Sequence, residues 1–471
     1  MHERISRLKE EQVEKIIIAF VLISFFILLS KCDKYKYGDT PYYMQISYSI
    51  MTDFDLDLRN NINDPSKIIY NGKLDTYSPW NWDVHDGHSS HLPGMSIISL
   101  PWFAVSYYTA RFAQIYLPER AFKSLRIDVY TILNRMLALF TIFLGALTVI
   151  YLARTFIVLG VGKKISYFLG LLFIYSPPLP AIFMTFMTEA PATFIVVYCL
   201  YVIINQEKNQ KDEIVFSCMV SFLLWLHFKY VFLLLGLWFA AYFCFSYRGR
   251  CLLLLVTSCS SILWCFHNMY MYESLFWFLS WGSAETVHLT YFQKPLAFLI
   301  DRENGIMTYS PFYLLIFSSI YAFRSNKLIL LTVFPFFFAY YFVIQSYEDW
   351  MGWFAAISRY FVPILPLFFI GIGLILVEYY RNKFIQFILL FQGFMILYCL
   401  GEPNYMWPKM DATHPFWSWL DLAYIFPNHV HQTPEYSLQA IWYFILSCVT
   451  IYILFKEKMR VTKSIDKRNN L

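Results

Sequence analysis

The chain has 471 residues, of which 58% are hydrophobic and only 15% charged, and its mean hydropathy is +0.47. A soluble protein of this size cannot hide that much apolar surface. The repeated apolar runs of about 16–20 residues also differ from the short alternating segments of a β-barrel. The formal net charge of +5 lies in short punctuation between those runs. No segment reads as a soluble catalytic domain or as a nucleic-acid-binding module. The expected class is therefore an all-α polytopic membrane protein.

Aromatic residues make up 21% of the chain, and many Tyr and Trp stand near segment ends, where amphipathic rings favour the interface. Of the nine cysteines, Cys199, Cys218, Cys244, Cys259, Cys265, Cys399 and Cys448 fall inside apolar runs, and Cys32 at a helix end. That is neither a disulfide framework nor a zinc pattern.

Residues 1–13 mix Arg4, Arg7 and Lys9 with acids and have no small-residue cleavage site, so they read as a cytoplasmic tail before a retained anchor, 14–31. A polar stretch, 32–127, follows. Within it Met95–Ala110 is apolar enough to span, but Pro93 and Gly94 precede it and Pro101 interrupts it. Charge decides its placement. If it does not cross, spans fall at 128–153, 165–183, 189–204, 214–229, 231–247, 251–267, 309–323, 327–346, 360–379, 384–400 and 438–455. The connections carrying Arg154, Lys163 and Lys164, Lys208 and Lys211, Arg248 and Arg250, Arg324 and Lys327, and Arg381 and Lys383 then all face the cytoplasm, as does the basic tail 456–471. With the anchor this makes about 12 spans, both termini inside. The long polar segments are then left on the outer face, 32–127 ahead of the bundle 128–455 and 268–308, 346–358 and 401–437 as its outer loops. Chemistry belongs on that face.

Four charged residues stand at helix ends on that side. Asp39 follows the first span, in Gly38-Asp39-Thr40-Pro41. It reads either as the cap of an amphipathic stretch, Pro41–Met51, or as a general base. Glu189 lies in Met187-Thr188-Glu189-Ala190-Pro191, between two spans, and reads as a helix-terminal acid favoured by the dipole or as a functional carboxylate. Lys229 and Arg359 enter spans from outside. Either snorkels, or the two bind a lipid-linked phosphate, the guanidinium pairing two oxygens at once. His85, Asp86, His88 and His91 are candidate ligands for a divalent metal ion, without the helical His-Glu-x-x-His arrangement.

Gly38-Asp39-Thr40-Pro41-Tyr42-Tyr43, Asp55–Asn60, His91-Leu92-Pro93-Gly94, Met187–Pro191, Trp225–Tyr230, Gly305–Pro311 and Ser358-Arg359-Tyr360 together resemble the GT-C superfamily of membrane glycosyltransferases. The likeness is to bacterial members related to the protein O-mannosyltransferases and the aminoarabinose transferases of lipid A. It implies a GT-C-type helical bundle whose long first extracytoplasmic loop carries juxtamembrane helices, in a bacterial cytoplasmic (inner) membrane with its active site outside. It also implies a polyprenyl-phosphate sugar donor, an acceptor hydroxyl on a glycan, lipid or protein, and inverting transfer. Asp39 would then be the base, Glu189 would orient the acceptor or hold a metal, and Arg359 and Lys229 would bind the donor phosphate. Tyr42, Tyr43, His91 and Tyr309 would line the substrate groove, and Trp80, Trp82 and Trp102 would stack on sugars. Where the superfamily often has Asp-Glu, this chain has Asp39-Thr40, which removes one acid from any metal site. The competing reading is a transporter or flippase for a lipid-linked substrate, which would place charges in the middle of its helices.

Overall fold

A computed structural model describes residues 2–32, 39–58, 84–85, 88–89, 91–116, 129–275, 296–302, 304–324, 326–345, 358–406, 415–427 and 436–469. Helix α1, His2–Lys31, is 30 residues long, about 45 Å at 1.5 Å per residue. It buries Val21, Phe25, Leu28 and Leu29 and exposes Ile16, Phe20, Ile23 and Phe26. An exposed face this apolar suits lipid rather than water. Six described helices are long and apolar enough to cross a bilayer, and four shorter apolar segments of 10–17 residues join them. The protein is an integral, multi-pass membrane protein.

After α1 come α2, Thr40–Thr52, a two-residue antiparallel pair, β1 (Val84–His85) with β2 (His88–Ser89), and α3, Gly94–Tyr116. Helix α3 runs unbroken through Pro101, where the sequence suggested an interruption. The carbonyl released by the missing proline N–H is that of Ile97, which lies on the exposed side of the helix. One face of α3, with Met95, Ser99, Phe103, Ser106 and Ala110, is buried, while Ile98, Val105, Phe112 and Ile115 on the opposite side are exposed and apolar. At its start Gly94 lies so close to Trp225 that a Cβ would come within 2.3 Å of the Trp225 carbonyl oxygen. No side chain fits there.

The bundle proper begins with α4, Val129–Val158, and α5, Lys163–Tyr175. The span expected at 165–183 is split. After Ser176, Pro177 and Pro178 interrupt the helix, and a short α6, Leu179–Phe183, continues before the chain turns. Neither proline can donate to the helical ladder, and each disfavours helical geometry in the residue before it. Helix α7, Glu189–Ile204, is buried at every position except Tyr201. A helix apolar all round belongs in the centre, and α7 packs against α4, α8 (Gln210–Leu226), α9 (Val231–Cys244) and the turn that carries Arg359.

The remaining bundle helices are α10 (Tyr247–Tyr272), α12 (Ile316–Ala322), α13 (Phe334–Gln345), α14 (Leu365–Glu378), α15 (Lys383–Gly401) and α17 (Tyr436–Asn469), with short helices α11 (Ala297–Ile300) and α16 (Pro415–Trp419) between them. Several begin irregularly: 3₁₀ turns at Phe228–Tyr230, Pro311–Leu315 and Arg359–Ile364 lead into α9, α12 and α14. The expected spans 214–229, 309–323 and 360–379 therefore contain non-α turns at the end where Lys229 and Arg359 stand.

Candidate active site

Asp39 occupies the N-cap position of α2 but makes no side-chain capping bond. Its carboxylate turns instead to Arg359, which donates from Nη1 to Oδ2 at 3.0 Å and from Nη2 to Oδ1 at 3.5 Å. The capping alternative is thus set aside by geometry. Thr40 faces the other way, donating its hydroxyl to the Phe186 carbonyl at 3.1 Å. That bond ties the start of α2 to the buried segment leading into α7.

Glu189 is the first residue of α7 and has no solvent exposure. Lys229 donates to its Oε1 at 2.7 Å, and the Thr188 hydroxyl reaches Oε2 at 3.4 Å. The carboxylate also lies at a helix N-terminus, where the dipole favours negative charge. Lys229 itself is only 7% exposed.

The two ion pairs meet on one ring. Lys229 Nζ sits 4.1 Å from the centroid of Tyr360, and the Arg359 guanidinium carbon 4.5 Å from the same centroid. Arg359 Nη2 also donates to the Tyr360 hydroxyl at 2.6 Å. An aromatic face attracts cations, so one side chain holds both cations near each other against their mutual repulsion. Tyr360 is fixed in turn by the Tyr340 hydroxyl, which donates to its carbonyl.

The turn that delivers Arg359 is built with care. Ser358 takes a left-handed backbone, φ 48° and ψ 28°, which is costly for a residue with a Cβ. Its hydroxyl donates to the carbonyls of Asn304 and Phe298, anchoring the strained residue to the Gly305–Pro311 region. Gly305 is needed there because a Cβ would come within 2.4 Å of the Asp301 backbone.

Aromatic groups close the first-loop side. The His91 ring lies 4.7 Å from that of Tyr42 and 5.3 Å from that of Tyr43, and Tyr43 packs on Phe186. Burial pushes the Asp39 carboxyl up, but Arg359, with His91 and Lys229, outweighs that and holds it well below the usual carboxylate range. Burial, together with the Asp39 and Glu189 charges, raises the Tyr43 phenol well above its ordinary value.

Asp39, Arg359, Lys229, Glu189, Tyr42, Tyr43 and His91 therefore form one assembly. Tyr309 is buried at the end of the 3₁₀ turn Ile306–Thr308. The metal candidates divide: Asp86 and the side chains of His85 and His88 lie outside the described residues, as do Trp80 and Trp82. Among the described residues no three His, Cys, Asp or Glu side chains converge, and the two site carboxylates already face cations. Trp102 donates to the Met136 carbonyl at 2.7 Å and lines an apolar cavity of about 700 Å³ between α1, α3 and α4. Phe140 lines the same cavity and packs against the Tyr43 cluster. Sequence reasoning gave no role to Tyr360, Thr188, Tyr230 or His227. The one available signal was their adjacency to Arg359, Glu189 and Lys229.

No protein-family model matches the chain, and no curated protein matches it. Among solved structures it is similar to ArnT from Cupriavidus metallidurans, both in the crystal structure bound to undecaprenyl phosphate and in that of the apo state. Identity is 12% and the TM-score 0.45 in each case; the match covers 76% and 78% of this chain and 59% and 60% of those. The chain spans about three-fifths of the length of the structures it matches.

Proposed function

We propose that this protein is a membrane glycosyltransferase that moves a sugar from a polyprenyl-phosphate donor to an acceptor hydroxyl on a glycan, lipid or protein. The observation that carries the reading is the convergence of Asp39–Arg359 and Glu189–Lys229 on Tyr360, from four separate elements. Two carboxylates and two cations at the ends of membrane helices suit a reaction that needs a base at one atom and a phosphate anchor at another. The distribution of Lys and Arg favours placing this end outside the cytoplasm.

In the proposed step the acceptor oxygen attacks the anomeric carbon from the face opposite the phosphate, inverting it. The acceptor proton passes to the Asp39 carboxylate. The bond from the anomeric carbon to the phosphate oxygen breaks, and its electron pair leaves on the polyprenyl phosphate, whose charge Arg359 and Lys229 stabilise. Glu189, sealed from solvent, serves by holding Lys229 in place. The apolar cavity between α1, α3 and α4, which shares Phe140 with the packing around the cluster that contains Tyr43, offers room for a lipid chain.

The paired state has a consequence. A carboxylate gripped by Arg359 is a weak base, because its charge is already neutralised. A phosphate competing for the same guanidinium loosens that grip, so donor binding makes Asp39 more basic. Donor should therefore bind before acceptor is deprotonated. The test is Asp39→Asn, purified full-length in detergent and assayed with a polyprenyl-phosphate sugar: transfer is lost while the folded protein persists. Undiminished transfer removes Asp39 from the mechanism.

A further inference from the structure

His227 reaches the same assembly from the junction of α8 and the 3₁₀ turn Phe228–Tyr230, with an extended backbone at φ −170° and ψ 141°. Its Nδ1 accepts the backbone N–H of Lys229 at 3.2 Å. A ring nitrogen that accepts carries no proton, so the imidazole is neutral and its one N–H is on Nε2. The side chain is half-buried. Its Nε2 makes no hydrogen bond to a described residue, nor does it belong to the sealed polar atoms that lack a partner. The donor therefore opens onto accessible space.

Two contacts say which space that is. The close approach of Gly94 to the Trp225 and Leu226 backbones sets the His91 turn directly against the turn that ends in His227. On its other side the chain runs within two residues to Lys229, whose ammonium lies over Tyr360 beside Arg359.

We propose that His227 is a third phosphate-binding donor, its Nε2–H directed at an oxygen of the phosphate that Lys229 and Arg359 receive. The inference rests on the donor-phosphate reading above. A neutral donor suits this position: a third positive charge would be repelled by the two cations already there, whereas an imidazole N–H adds direction without charge. Phosphate oxygens only accept, which matches a ring whose free nitrogen only donates.

A purely structural role would reside in Nδ1, which caps the turn, so two amides separate the alternatives. In His227→Asn an oxygen replaces the Nδ1 acceptor and the distal donor is gone. In His227→Gln an amide N–H stands near the Nε2 position and the Nδ1 acceptor is lost. Purified full-length protein is titrated with undecaprenyl phosphate, and the melting temperature of each variant is recorded. The expected result is that His227→Asn binds about tenfold or more weakly while His227→Gln stays close to the parent. Parent-like binding by His227→Asn overturns the proposal, as does weak binding by both variants together with lowered melting temperatures, which assigns the ring to the cap. If the parent protein itself fails to bind undecaprenyl phosphate, the donor-phosphate reading falls instead, and this inference falls with it.

Discussion

Ion pairs stand at both ends of the bundle, and they differ in kind. At the end where α1 begins, Arg154 pairs bidentately with Glu14 at 2.8 Å from both Nε and Nη2, and Lys163 pairs with Glu10 at 2.7 Å. There the Arg154 side chain is 35% exposed and that of Lys163 55%. At the opposite end Lys229–Glu189 and Asp39–Arg359 are largely enclosed; Glu189 has no exposure and Arg359 has 6%. The exposed pairs clip α1 to α4 and α5 and are screened by solvent, so each contributes little. Enclosed pairs carry a desolvation penalty that offsets most of their attraction, and apolar residues of equal volume would serve stability as well or better. Charges kept in such a place point to chemistry, and the contrast between the two ends can be broken or sharpened by substitution.

The largest effect belongs to Asp39. Asp39→Asn should lower turnover by about 10²–10⁴-fold, the range of a general base, while donor binding is retained or tightened because Arg359 is released. A parallel loss of donor affinity would show that Asp39 instead builds the phosphate site.

Next is Glu189→Leu, which leaves Lys229 charged and enclosed without a partner and should cost about 3–5 kcal/mol of stability. Adding Lys229→Met should restore the melting temperature without restoring transfer. Recovered activity in the double variant would make the pair structural.

Arg359→Lys keeps a charge but loses the fork that engages Asp39 through two nitrogens. A donor-affinity loss of about tenfold or more is expected in a binding titration. Smaller still, Arg154→Ala should shift stability by no more than about 1 kcal/mol, with transfer unchanged. A large loss of activity there would erase the distinction between the two ends.

The pH profile should show the least. With its carboxyl depressed well below the usual range, Asp39 stays ionised above its unfolded value. Its contribution to stability is therefore present at neutral pH and is lost only as pH falls through the depressed value. Between about pH 5 and 8 kcat/KM, which reports the free enzyme, should carry no acid limb from Asp39, so an acid limb in kcat/KM that disappears when Arg359 is kept and Asp39 is replaced by Glu would contradict the pairing.

Composition and apolar periodicity settled the class of protein, because lipid-facing helices must be apolar along their whole length. Helix α7 begins and ends at the residues its sequence pattern suggested, since it is flanked by a Thr-Glu-Ala-Pro entry and a polar turn. Helix-end charges were legible as positions for the same reason, since few charges interrupt or border the apolar runs, although capping, the helix dipole and snorkelling each offered an inert explanation. The Pro177-Pro178 break and the 3₁₀ starts of α9, α12 and α14 were less legible, because apolarity continues across them while backbone geometry changes.

Which charges pair with which was decided only in three dimensions. Asp39 and Arg359 are 320 residues apart, and Lys229 and Glu189 are 40; no local rule links them. The residues around Asp39 favour a helix cap, and only the position of a distant guanidinium shows that its carboxylate makes no capping bond and pairs with Arg359 instead. The sequence by itself determined that charged groups would gather at the ends of membrane helices, because the bilayer interior excludes them. The tertiary structure determined that four of them share one enclosed place around Tyr360, because helix packing, not chain proximity, sets which ends meet.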